Sequence, residues 1–138
     1  MNQKIKTLKI IHLVLVAGVT FAYFLIGDFK NILNLEIDDS SLIYSFIPAL
    51  AYVSSNFIFR NILNKIKEDT SDDEKFAIFQ SASVVKWIIL EAACFLILFL
   101  KPDFLLFGVI LLFYLLLLAP KEDKIFNLLK IKNPNFEK

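Results

Sequence analysis

Apolar residues fall in four long runs, Ile10 to Gly27, Leu42 to Phe59, Ala77 to Leu100 and Phe104 to Ala119, and the polar residues cluster between them. About 20 apolar residues rising roughly 1.5 Å each cross a bilayer core, so the pattern predicts four spans at about 8–27, 42–60, 77–100 and 104–119. The runs lack the strict alternation of a barrel strand, and an open strand cannot satisfy its backbone in lipid, so each is expected to be a helix. The short turn "LKPDFL" between the third and fourth runs makes those two helices antiparallel neighbours. The expected architecture is all-α: one transmembrane domain over residues 1–138, an antiparallel integral membrane four-helix bundle.

Local signals refine the ends. In "SDDEKFAIFQSAS", Ser71 with Glu74 three residues on reads as a helix start, and the acids suit the positive end of the helix dipole. Pro102 fits the first turn of the fourth span. The second span carries Tyr44, Ser45, Tyr52, Ser54, Ser55 and Asn56, polar groups expected to face other helices. The fourth, "FLLFGVILLFYLLLLA", reads as the most lipid-exposed helix. After Pro120, residues 121–132 put Ile125, Leu128 and Leu129 on one face among lysines, which suits either an amphipathic helix on the membrane surface or a frayed charged tail.

Charge sets the orientation. Lys4, Lys6 and Lys9, then Arg60, Lys65, Lys67 and Lys75, then Lys121, Lys124, Lys130, Lys132 and Lys138 all lie where four spans would place one side. They account for twelve of the 15 basic residues, while the opposite side has Lys30 and Lys101. Basic residues concentrate in cytoplasmic loops, so both termini are expected in the cytoplasm. "MNQKIKTLK" before an apolar run resembles a signal peptide, yet the run ends in "FLIGDFKN" without a small-residue cleavage site, and an uncleaved span is expected. Composition agrees with a membrane protein: the chain is 57% hydrophobic, with a mean hydropathy of +0.64. The lone Cys94 excludes an intramolecular disulfide and reads as a small packing residue.

Candidate chemistry lies at one depth. His12 is three residues past Lys9, Asn56 four before Arg60, and Glu91 five past Lys86. At about 1.5 Å per residue these groups fall in one layer in the cytoplasmic half, which predicts that His12, Asn56 and Glu91 meet. Tyr114, seven residues before Lys121, lies slightly deeper. Lys86 and Glu91 diverge by about 140° on one helix, too far to pair. Lys86 is therefore expected to reach the headgroups beside Trp87, with Lys9 and Arg60 as further interfacial anchors. An ionisable residue at membrane depth is a functional candidate, and the rival reading is a carboxyl that fixes helix register.

No Cys-x-x-Cys pair, His-x-x-x-His spacing, phosphate loop or serine motif is present, so no cofactor, metal site or catalytic residue is expected. The basic residues follow topology, which argues against nucleic acid as a partner and leaves the bilayer, a homo-oligomer or another membrane protein. The segments "KTLKIIH", "KWIILEA", "LKPDFLLFG" and "APKEDKI" resemble a group of small bacterial four-span membrane proteins of unknown function. The third-span signature of that group maps to Lys86, Trp87, Glu91 and Ala92. The resemblance implies a bacterial cytoplasmic membrane and, weakly, a transporter label. Rotor-ring subunits also carry a membrane carboxylate, but their packing needs more than the three glycines of this chain. Small multidrug exporters carry a first-span glutamate, where this chain has His12 and no acid. The expected role is a structural or accessory membrane component, with a small homo-oligomeric carrier or channel using Glu91 for proton or cation handling as the alternative.

Overall fold

The computed structural model describes residues 1–33, 42–100 and 102–131. These residues form five α-helices and three short 3-10 segments, with no strand among them. The helices are α1 (Asn2–Ile26), α2 (Phe46–Leu63), α3 (Asp72–Leu100), α4 (Leu105–Leu117) and α5 (Glu122–Leu129). The acidic stretch containing Glu36, Asp38 and Asp39, Lys101, and the tail lysines Lys132 and Lys138 lie outside the described residues.

Two helices, α1 and α3, are long and apolar enough to cross a membrane, with mean hydropathies of 2.1 and 2.2 over their most apolar stretches. A third crossing is possible if Pro102–Leu117 and α5, which meet at a 75° bend, are taken as one broken span. At about 1.5 Å per residue the 29 residues of α3 extend roughly 43 Å, longer than a 30 Å hydrocarbon core. Its first turn is capped as Ser-x-x-Glu predicts, since Ser71 Oγ accepts the Glu74 backbone N–H at 3.3 Å. A 3-10 turn at Leu42–Ser45 leads into α2, and Pro48 lies in the first turn of that helix, where a backbone donor is not needed.

Cross-helix contacts fix the directions. Lys4 pairs with Asp73 at 2.8 Å, and the Tyr23 hydroxyl donates to the Cys94 carbonyl at 2.7 Å, so α1 and α3 run parallel in a nearly constant register. Asn56 meets Lys86, and Phe59 packs on Phe79, which makes α2 antiparallel to α3. Lys9 reaches Glu122 at 2.9 Å, His12 meets Leu115 and Tyr23 packs on Gly108, so α4 runs opposite to α1. Helix α3 is the common neighbour of the other four. Its core face includes Phe76, Trp87, Leu90, Cys94 and Ile97.

Two expectations about the last third of the chain need correction. Helix α4 is not simply the lipid-facing helix: Leu105, Gly108, Leu111, Leu112 and Leu115 form a buried stripe at helical spacing, while Ile110, Phe113 and Leu117 face outward. A uniformly apolar sequence hides which side packs, and here Gly108 decides it by admitting the Tyr23 ring. Helix α5 does form and is amphipathic, but Ile125, Phe126 and Leu129 are buried against protein, with Leu128 left half exposed. Its last turn closes in a Schellman arrangement, with Ile131 N–H bonded to Phe126 O and Lys130 N–H to Asn127 O. Lys130 there adopts φ 52° and ψ 39°, a left-handed conformation that costs a side-chain-bearing residue about 1–2 kcal/mol.

The outer surface is strongly apolar. Leu13, Val14, Phe21 and Phe24 on α1, and Val53 and Phe57 on α2, are each more than 60% exposed. Contiguous apolar surface of this kind suits hydrocarbon or a partner better than water.

Candidate functional site

The centre of polar chemistry is Lys86. It lies on the α3 face turned toward α2 and α4 and is only 7% exposed. Its Nζ donates to Asn56 Oδ1 at 2.8 Å. The same ammonium lies 5.1 Å from the Phe59 ring centroid and 5.6 Å from that of Tyr114, within cation–π range of both. Asn56 is held in turn: its Nδ2 donates to the Tyr52 carbonyl at 2.7 Å and to the Tyr114 hydroxyl at 3.3 Å. One amide thus joins a cation from α3, a hydroxyl from α4 and the backbone of α2. Tyr52 and Tyr114 also tilt against each other, with centroids 5.2 Å apart.

His12 occupies the other side of α3. Its Nε2 donates to the Leu115 carbonyl at 2.9 Å, and because a carbonyl only accepts, this nitrogen carries the proton. The imidazole meets the Trp87 ring edge-on at 4.7 Å. Deeper in the same direction, the Tyr23 hydroxyl bonds to the Cys94 carbonyl above Gly108. No buried side-chain nitrogen or oxygen lacks a partner among the described residues.

The expected layer is therefore split. Asn56 and Tyr114 meet, but the group between them is Lys86 and not Glu91. Lys86, expected to reach outward to headgroups, is bonded to Asn56 inside the protein, and Trp87 is 2% exposed, packed on His12. His12 and Asn56 lie on opposite flanks of α3 and share no bond among the described residues. Glu91 is half-buried and has no hydrogen bond or ion pair among the described residues. Of the anchors, Lys9 is ion-paired to Glu122, and Arg60 lines a cavity at the end of α2. The Leu115 and Cys94 carbonyls were not predictable as acceptors, because a sequence does not show which backbone groups a neighbouring helix presents. The inward turn of Lys86 had a signal: it lies fifteen residues beyond Ser71, about 22 Å along α3 and at the middle of that helix rather than at an end.

No group of three metal-ligating side chains gathers among the described residues. Comparison with family models, curated proteins and solved structures finds no match to this chain.

Proposed function

We propose that the protein is a non-catalytic integral protein of the bacterial cytoplasmic membrane, a structural or accessory component with four crossings and both termini in the cytoplasm. The observation that carries this reading is the use made of the buried polar groups. Lys86, Asn56, Tyr114, His12 and Tyr23 each spend their hydrogen bonds on a neighbouring helix or on their own backbone, which makes them fasteners between helices. Two further features support it: the apolar exterior, and the two helices long enough to span. In this reading α2 and α4 complete the crossings, and the basic ends of the helices face the cytoplasm. The four-span family likeness rests on the quoted segments and fits the same topology. Single-cysteine variants at Asn2, Lys30 and Lys124, labelled in intact cells with a membrane-impermeant maleimide, test it. Labelling only at position 30 is expected; labelling at position 2 or 124 would overturn the topology.

A second reading has its own observation. Glu91 sits in the apolar part of α3 without a partner among the described residues, as a carboxyl that loads and unloads a proton or cation in a small homo-oligomeric carrier would. Infrared difference titration of the full chain in nanodiscs, against Glu91→Gln, separates the two. A Glu91 carboxyl band that titrates between about pH 5 and 8 and exchanges rapidly with deuterated water supports the carrier. A fixed, slowly exchanging band supports the structural role.

A further inference from the structure

Two cavities at the basic ends of the helices carry more cations than acids in their linings. A cavity of about 470 Å³ opens between the end of α2, the connection to α3 and the end of α5. Arg60, Lys67, Lys75 and Lys130 line it, against the single acid Glu68. Lys75 has a long ion pair with Asp72 at 3.7 Å, and no ion pair engages Arg60, Lys67 or Lys130 among the described residues. Its remaining wall is largely apolar, including Leu63 and Leu129. A second cavity of about 220 Å³ adjoins it across Leu128 and holds Lys86, Lys121 and Lys124 with no acid in its lining.

We propose that the larger cavity binds the phosphate of an anionic glycerophospholipid, with the lipid's apolar part following the half-exposed Leu128 toward the hydrophobic exterior. The proposal rests on the four-span reading, which puts this end of the helices at the headgroup level of the cytoplasmic leaflet. Charge supplies the first argument. With Glu68 and the Asp72 partner of Lys75 set against its four cations, the cavity keeps a net positive charge that attracts a phosphodiester monoanion, and basic pockets between helices on the cytoplasmic side recognise anionic headgroups in this way. Amphiphilic lining supplies the second, because a wholly soluble anion has no use for the leucine wall.

Lys130 supplies the third. It alone among the described non-glycine residues has a positive φ, at the helix-ending position that glycine usually fills. A side chain at this position costs backbone energy that glycine would not, and here it places a fourth cation on the cavity lining. Glycine at this position would relax the backbone and delete the cation, so binding and folding respond in opposite directions.

The full chain, purified in detergent, would be titrated with phosphatidylglycerol and with phosphatidylcholine of the same acyl chains, and bound lipid counted by native mass spectrometry. Each cation at a headgroup surface is worth about fivefold in affinity, so a preference for phosphatidylglycerol of about tenfold or more is expected. Lys130→Gly and Arg60→Gln are expected to reduce that preference severalfold, the former with an unchanged or raised thermal midpoint. Lys6→Gln, on exposed α1 surface away from the cavity, should leave it intact. Equal binding of the two lipids, or an undiminished preference in both cavity variants, would overturn the proposal. So would displacement of phosphatidylglycerol by millimolar inorganic phosphate, which would assign the cavity to a soluble anion. Alkaline carbonate extraction of membranes distinguishes the two levels of failure. A chain released by carbonate defeats the membrane reading and the lipid site together, whereas a retained chain that binds both lipids alike defeats the lipid site alone.

Discussion

Lys86 and Glu91 stand five residues apart on one apolar helix and meet opposite fates. Lys86 is almost fully enclosed, bonded to Asn56 and faced by two aromatic rings; Glu91 is half-buried and bonded to nothing among the described residues. Five residues turn a helix by about 140°, enough to move a side chain from the inside of a helix cluster to its flank. The contrast shows that an ionisable residue in an apolar segment is not one kind of feature. An enclosed, bonded cation holds helices together, while an unbonded carboxyl on the flank is available to lipid, water or a second copy of the chain.

The contrast breaks most visibly through Asn56. Asn56→Leu removes the hydrogen bond to the enclosed ammonium and should destabilise the protein by about 2–3 kcal/mol, read as unfolding free energy in mixed micelles. Lys86→Met should cost less, about 1 kcal/mol, because it deletes the buried charge together with its need for a partner. The double variant should then be more stable than Asn56→Leu alone, and strict additivity would show that the two residues are not coupled. Tyr114→Phe keeps the ring beneath Lys86 and removes only the 3.3 Å bond from Asn56, for an expected loss of about 0.5–1 kcal/mol. Glu91→Gln should change stability by no more than about 0.5 kcal/mol, because no bond among the described residues is lost. A loss as large as that of Asn56→Leu would place Glu91 in a contact between copies.

Two glycines extend the comparison to packing. A Cβ at Gly108 would run into the Tyr23 hydroxyl that bonds Cys94, whereas at Gly18 nothing lies within 4 Å. Gly108→Ala should therefore cost about 1–3 kcal/mol through overpacking. Gly18→Ala should leave stability unchanged or raise it by up to about 1 kcal/mol, since it only restrains the unfolded backbone.

How much of this was legible varies from element to element. The long apolar runs announce α1 and α3, because the length and composition that would let a helix cross a membrane are displayed directly by short-range sequence. Ser71 and Glu74 mark the start of α3, since a cap is a contact within four residues. Equal depth from the basic anchors led to an expected meeting of His12, Asn56 and Glu91, but the bonds join Asn56 to Lys86 and Tyr114, because a count of residues gives distance along a helix and no direction around it.

Direction around the helix axis is another matter. The sequence determined that this chain is helical and apolar, with a few polar side chains set within its apolar runs. Only the tertiary structure decided that Lys86 is the cation at their centre, that His12 bonds a backbone carbonyl on α4, that α5 folds back onto the core, and that Glu91 is left out. The physical reason is that helical periodicity gives each side chain an angle relative to its own axis. Which neighbour stands at that angle, and whether a small residue such as Gly108 lets it come close, depends on the packing of the whole chain.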